Sequence, residues 1–357
     1  MKAIELFQNY YQENKTKLAE KIRYYNNSLK DDDLILNKNL EFFKDLNSDG
    51  KLVRGILVKL GYELEKYNPG YSDNLALAYE VFQTSILIHD DIIDHDEKRR
   101  GKETIHFRNY QEYYNISKNK AESASISNSI ALCMGDYGLF LANKIISDAY
   151  WQDPNLGKVL SYFNNIVLKT IKGEILDVVI PFQSENKLLT QESLEKYINE
   201  IYRLKTAYYT VVGPLSVGMI LAGSPEEQIE EIAEFGEEVG IAFQIQDDIL
   251  GIYSTEIGKV IGSDIKENKQ TILYSYIQKT SYQKEFEKYY GKDEINDEVL
   301  QKVKELLEAS GATQYAIDEM NKHYDRSIEL LDRITWLEYD KKEILKGMVE
   351  YLRMRNK

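Results

Sequence analysis

A chain of 357 residues that is 43% hydrophobic and 29% charged carries enough apolar side chain for a substantial core and is too apolar for a disordered segment. Its formal net charge of −14 argues against nucleic acid as a partner, while leaving room for a small anionic substrate held by local bases and metals. A lone cysteine, Cys133, gives neither a disulfide framework nor a thiolate metal site, which fits a reducing compartment. The opening MKAIELFQNYYQENK has no signal-peptide apolar core, and no later run is read as approaching membrane-spanning length. A cytoplasmic protein without an integral membrane segment is expected.

Taken in chain order, the predicted elements are helical. Asp31-Asp32-Asp33 reads as a loop or cap, and Pro69-Gly70 closes a segment. Apolar residues then recur at three and four spacing in LALAYEVFQTSILI. VVIPF is strand-like but too short to build a sheet on. Pro214, inside the apolar pattern of KTAYYTVVGPLSVGMI, predicts a kink. Ser224-Pro225-Glu226-Glu227 reads as an N-cap, a first-turn proline and acidic residues favoured by the helix dipole. Helical spacing returns in EIAEFGEEVGIAFQIQ and KEILKGMVEYL, and the Lys- and Glu-rich region from about 280 to 330 reads as more exposed helices. The fold class expected is all-α, a helical bundle around a central active-site cavity, with residues 1–357 forming a single domain.

Two acidic clusters on apolar helical segments carry the chemistry. The first is Asp90-Asp91-Ile92-Ile93-Asp94, where Asp90 and Asp94 fall one turn apart on one face, close enough to share a hard cation. The second is Asp247-Asp248 in FQIQDDILG. Carboxylates beside Ile, Leu and Phe are costly to bury unpaired. Magnesium takes one or two protein carboxylates and completes its shell with water and substrate phosphate. Asp90, Asp94 and Asp247 on facing helices would suit metals that clamp one diphosphate. Bases follow each cluster: Arg99 and Arg100 after the first, Lys259 and Lys269 after the second. Arginine suits bidentate phosphate contact and lysine supplies point charge. Metals and bases on a leaving diphosphate lower the barrier to breaking its carbon–oxygen bond. The competing reading of one such pair is a cap or a solvated face; two, each with basic followers, favour a site.

DDIID followed by Arg99-Arg100-Gly101 and His106, together with FQIQDD and GSDIKENKQT, resembles the trans-isoprenyl diphosphate synthases, the farnesyl and geranylgeranyl diphosphate synthase group, from about residue 45 to the C-terminus. The resemblance implies magnesium on Asp90 and Asp94 from one side and Asp247 from the other, with Asp91 and Asp248 supporting. It implies that Arg99, Lys205, Thr206, Gln244, Lys259 and Lys269 hold an allylic diphosphate. Gly50-Lys51-Leu52-Val53-Arg54-Gly55 is similar to the family's Gly-Lys-x-x-Arg element, so Lys51 and Arg54, with Gln83 and Arg100, would bind isopentenyl diphosphate. The implied reaction is ionisation of the allylic diphosphate, attack by the isopentenyl double bond, and loss of a proton to the departing diphosphate. A homodimer is implied as well.

The chain departs from the family pattern at Gly251, where many members carry a third aspartate, and at Asp49 and Leu52, which replace a Gly and an Arg. Glu174 and Asp177, one turn apart, resemble a helix that faces the metals, with a surface pair as the alternative. His106 reads as structural. Arg353, Arg355 and Lys357 read either as a flap over the isopentenyl site or as a basic helix end. The family's growing tail runs along the helix before the first cluster. Ser85 and Ile86 there are not aromatic, and Phe82 and then Tyr79 are the next candidates for its floor, which predicts a geranylgeranyl-length product with farnesyl or longer as alternatives. A terpene cyclase and a non-catalytic regulatory subunit are the competing classes; Lys51, Arg54 and Arg100 favour elongation over both.

Overall fold

Helix after helix follows from the apolar spacing, and side-chain caps set several of the starts. The computed structural model describes residues 2–48, 50–68, 70–254, 262–292 and 295–354. Asn119, Thr190, Thr271 and Asn296 each accept a hydrogen bond from the backbone N–H three residues on, opening the helices Lys120–Ala149, Gln191–Ile201, Ile272–Ile277 and Asp297–Ala309. Asp33 does the same for Leu34–Ser48, accepting from the N–H groups of Ile35 and Leu36 at 2.9 Å, as the loop-or-cap reading expects. The protein is all-α; among the described residues the strands are two residues each, Lys98–Arg99 and Lys102–Glu103, paired antiparallel.

The chain divides into two compact units. One comprises Tyr10–Leu160 with Val217–Gly223. Its buried centre is the helix Asp73–Ile93, where Leu75, Ala76, Ala78, Tyr79, Val81 and Phe82 are all sealed from solvent. Each large apolar side chain so buried contributes about 1.5–3 kcal/mol. Directly after this helix the short strand pair turns through Arg100 and Gly101, both at positive φ (53° and 77°) as a two-residue hairpin loop requires. The turn sends two adjacent arginines in different directions, which their order in the sequence conceals.

The other unit comprises Met1–Asn9, Ser161–Ser216 and Ser224–Lys357. Ile180, Ile198, Ile241, Ile245, Leu273, Phe286, Val303 and Leu307 build its core, so the Lys- and Glu-rich region presents an apolar face inward as well as its exposed one. Two glycines set the distances here. A Cβ on Gly173 would lie 2.5 Å from the Lys205 nitrogen, and one on Gly240 would lie 2.3 Å from the Ala207 Cα. The helices Leu156–Glu185 and Glu226–Tyr253 can therefore approach the segment bearing Lys205 closely only as glycine helices.

Two expectations are refined and two need correction. At Pro214, where a kink is expected, an 11-residue π-helix, Tyr202–Val212, gives way to a helix that starts at Gly213. The Gly213 N–H bonds back to the Tyr208 carbonyl, so the wider turn takes up the register that a proline, lacking its own N–H, disrupts. Ser224 caps nothing: the cap position falls on Pro225, and the Ser224 hydroxyl is buried without a partner. VVIPF builds no sheet, as expected, and lies within the helix Leu156–Glu185, with Pro181 inside it. Finally, Lys120–Ala149 is long and apolar enough to cross a membrane by composition, with 39% of its apolar window buried. Its Ala, Ser and Gly content hid that from a search for bulky apolar runs.

Candidate active site

The first cluster ends the helix Asp73–Ile93. The Asp94 N–H donates to the Asp90 carbonyl at 2.8 Å, placing the two residues on consecutive turns as their spacing predicts. Three carboxylates at a helix C-terminus oppose both one another and the dipole, so the arrangement demands cations. Arg99 supplies one: it pairs with Asp91, reaches Asp96 at 2.9 Å and stands 3.6 Å from Asp90. Asp91 is 2% exposed, and burial pushes its carboxyl up to about 7 against the pull of Arg99. Burial works against the Arg99 charge, yet Asp91 and Asp90 raise its pKa further, so it stays cationic.

Arg100 points elsewhere. A Cβ on Gly50 would lie 3.4 Å from its Nη1, which places Arg100 beside the Gly50–Gly55 element. The Gly55 N–H donates to the buried Glu80 carboxylate at 2.7 Å, and Tyr11 donates to the Lys51 carbonyl at 2.5 Å. Burial raises the Glu80 pKa, and its backbone bond to Gly55 and the charges of Arg54 and Arg100 oppose the rise. Glu80 is thus the hub that gathers Gly55, Arg54 and Arg100, and the sequence reading missed it; a lone carboxylate inside the apolar run LALAYEVFQTS was the signal. Leu52, one of the departures from the resembled pattern, is buried at a left-handed φ of 56°. The Lys51 side chain is exposed, and Gln83 is half-buried on the Asp73–Ile93 helix.

In the other unit the two described lysines of the allylic set converge. Lys205 lies 2.7 Å from Asp177 and 2.8 Å from Glu174, and Lys269 lies 2.9 Å from the same Asp177 oxygen. Burial alone would raise Asp177, but Lys205 and Lys269 outweigh it and hold the carboxyl well below the usual range. Glu174 and Asp177 are therefore lysine partners rather than a surface pair. Thr206 donates to Gln244 at 2.5 Å, Gln244 donates to Asp248 at 2.8 Å, and the Tyr202 hydroxyl donates to the other Asp248 oxygen. Asp248 is 4% exposed, with its pKa raised by burial and then by Asp264, whereas Asp247 is half-buried. The gap left by Gly251 is filled: the Asp264 carboxylate stands 2.9 Å from where a Cβ at 251 would project. Only the packing of GSDIKENKQT against this helix reveals that substitution in space.

Lys259 lies outside the described residues, as do Asp49, Arg355 and Lys357. Arg353 pairs with Asp325 at 2.7 Å and Asn321 at 3.0 Å, and its carbonyl accepts a hydrogen bond from Gln246 at 3.4 Å. Tyr79 and Phe82 are fully buried in an edge-to-face pair with centroids 6.1 Å apart; Ser85 is buried, donating to the Gly135 carbonyl, and Ile86 is half-buried. The donor atoms of the first cluster are all carboxylate oxygens, the hard ligands magnesium takes. Among the described residues no three His, Cys, Asp or Glu side chains gather as a ready cage, and magnesium needs no all-protein cage when waters and phosphates complete its shell.

Known proteins place the chain in a family. Residues 38–307 match the model of the polyprenyl synthetase family, and the chain belongs to that family. It is 27% identical over 296 residues to a (2E,6E)-farnesyl diphosphate synthase of Mycobacterium bovis, covering 81% of this chain and 75% of the relative. It is 26% identical over 318 residues to a geranylgeranyl diphosphate synthase of Sulfolobus acidocaldarius, covering 87% and 88%. In three dimensions it is similar to a geranylgeranyl pyrophosphate synthase from Corynebacterium glutamicum complexed with isoprenyl diphosphate and magnesium, with a TM-score of 0.81 at 21% identity over 99% of this chain and 97% of that one. The last likeness shows the fold; the family and its relatives make this chain a transferase of prenyl groups acting on isoprenyl diphosphates.

Proposed function

We propose that the chain condenses isopentenyl diphosphate with an allylic diphosphate in a magnesium-dependent ionisation, condensation and elimination, giving geranylgeranyl diphosphate. The observation that carries the reading is the convergence of Lys205 and Lys269 on one Asp177 oxygen. Asp177, with Glu174 on Lys205 and Glu267 3.6 Å from Lys269, holds the two ammonium groups together, and an allylic diphosphate would draw on both. Asp90, Asp94 and Asp247 would ligate magnesium, with Asp264 as an added carboxylate beside Gly251, and the bound ions would neutralise the departing diphosphate. Arg99 holds the first carboxylate set in place, Thr206 and Gln244 orient Asp248, and Lys51, Arg54, Gln83 and Arg100 receive isopentenyl diphosphate. Lys259 completes the allylic set in this reading. Phe82 and Tyr79 floor the tail, because Ser85 is small and both rings are buried one and two turns before it.

A homodimer is part of the proposal. Leu168, Ile171, Ile175, Val178 and Phe182 make an exposed apolar row at helical spacing along Leu156–Glu185. One cysteine and the acidic balance support a cytoplasmic setting. The test is to incubate the protein with magnesium, isopentenyl diphosphate and farnesyl diphosphate, then follow diphosphate release and product length. Release that needs both substrates, with a product one isoprene unit longer, is expected. Release from the allylic substrate alone would make it a cyclase, and failure to extend farnesyl diphosphate would end the chain-length claim. Replacing Phe82 by Ala is expected to lengthen the product.

A further inference from the structure

We propose that the Tyr202 hydroxyl is a positioning residue that ties the second aspartate pair to the segment Lys269–Ile272, keeping a metal-binding carboxylate and a diphosphate-binding lysine in register. This rests on the prenyl-transfer reading given above. Tyr202 is 3% exposed and stands first in the π-helix. Its hydroxyl makes two bonds: it donates to Asp248 and accepts from the Ile272 N–H at 2.9 Å. The second Asp248 oxygen is engaged by Gln244, so this carboxylate is gripped on both sides by neutral donors. At the far end of the same four-residue segment, Tyr290 donates to the Lys269 carbonyl at 2.7 Å, and the Lys269 ammonium lies on Asp177. The segment is thereby pinned at both ends by tyrosine hydroxyls, and one of them also holds the residue next to Asp247.

A phenylalanine would fill the same space. Burying a phenol hydroxyl costs free energy unless it is bonded, so its presence points to the bonds rather than to packing. Asp248 then works through its neighbour: with both oxygens engaged by protein donors, it fixes the helix turn that presents Asp247. Tyr202 makes that turn and the lysine segment move as one piece.

The experiment uses the full chain with Tyr202→Phe, Asp248→Asn and the double variant. Steady-state synthesis is measured across a magnesium titration, alongside thermal melting and amide exchange of the peptide spanning 269–272. For Tyr202→Phe the expectation is a kcat lower on the order of 10-fold, as for outer partners of metal ligands, with a higher magnesium midpoint. The KM for isopentenyl diphosphate should hold and Ile272 exchange should quicken. The double variant should lose no more activity than Asp248→Asn alone, because both changes cut one linkage. An unchanged kcat and magnesium midpoint in Tyr202→Phe would overturn the proposal, whatever the melting temperature, and so would additive losses in the double variant. A wild-type chain that makes no product with magnesium would bring down the prenyl-transfer reading as well, which separates the two failures.

Discussion

The two aspartate pairs are built alike and anchored differently. In each, one member is buried and held by the protein (Asp91 at 2% exposure, Asp248 at 4%), while its neighbour, Asp90 or Asp247, is more open. Asp91 is held by a cation, Arg99, whereas Asp248 is held by neutral donors, Tyr202 and Gln244. The first pair sits at a helix end, where the dipole already disfavours negative charge, so a neutral donor would leave three carboxylates unbalanced. The second lies further inside its helix, where hydroxyl and amide donors suffice. A doubled aspartate thus reads as one ligand and one anchor, with the anchor's partner chosen by local charge.

That difference predicts unequal responses to losing the partner. Arg99→Met is expected to give the largest loss, because it strands a buried carboxylate; breaking such a pair costs about 3–5 kcal/mol. Urea unfolding should show the drop, and prenyl transfer should vanish with it. A variant as stable as wild type would mean that Asp91 is carried by other groups. Asp90→Asn, which leaves Arg99 in place, is expected to cost activity on the order of 100-fold with little change in stability, read from kcat against the melting temperature.

Glu80→Gln comes next. It keeps the side chain's shape but removes the charge near Arg54 and Arg100, and an unsatisfied or weakened buried bond to Gly55 costs about 1–3 kcal/mol. Its signature should be a raised KM for isopentenyl diphosphate with the KM for the allylic substrate held. An equal rise in both would remove Glu80 from the isopentenyl side.

These variants also mark what could be seen in the residue order. Asp90, Asp94 and Asp247 were visible because carboxylates in apolar helical runs are conspicuous. Lys205 and Lys269 were visible by motif, but their meeting on Asp177 was not, since 28 and 92 residues separate them from it. Arg99 and Arg100 looked like one basic patch until the hairpin turn separated them. The π-helix stayed hidden because a proline nearby suggested a kink instead. Tyr202 gave no signal at all: one of 28 tyrosines, it is distinguished only by what meets its hydroxyl. Spacing along one helix is legible in a sequence; partners supplied by another segment are not.

The smallest effect concerns His106, which reads as structural. Burial, and then the neighbouring His95, lower its pKa from 6.5 to about 4, and its Nδ1 lies 3.2 Å from the Thr104 hydroxyl. Between pH 6.5 and 4 the unfolded chain binds a proton here that the folded chain resists, so stability falls as pH falls through that window and is unaffected above it. The ring keeps partial access to solvent, so the loss is discounted to about 1 kcal/mol rather than the full conversion of the shift. His106→Gln keeps a polar partner for Thr104 and removes the titration. Unfolding free energies of the two proteins should therefore run parallel from pH 7 to 8 and converge or cross by about 1 kcal/mol on descent to pH 4.5, because acid costs the wild type more. Parallel curves throughout would show that the imidazole protonates as readily in the folded chain as outside it, and would refute burial as a force on its titration.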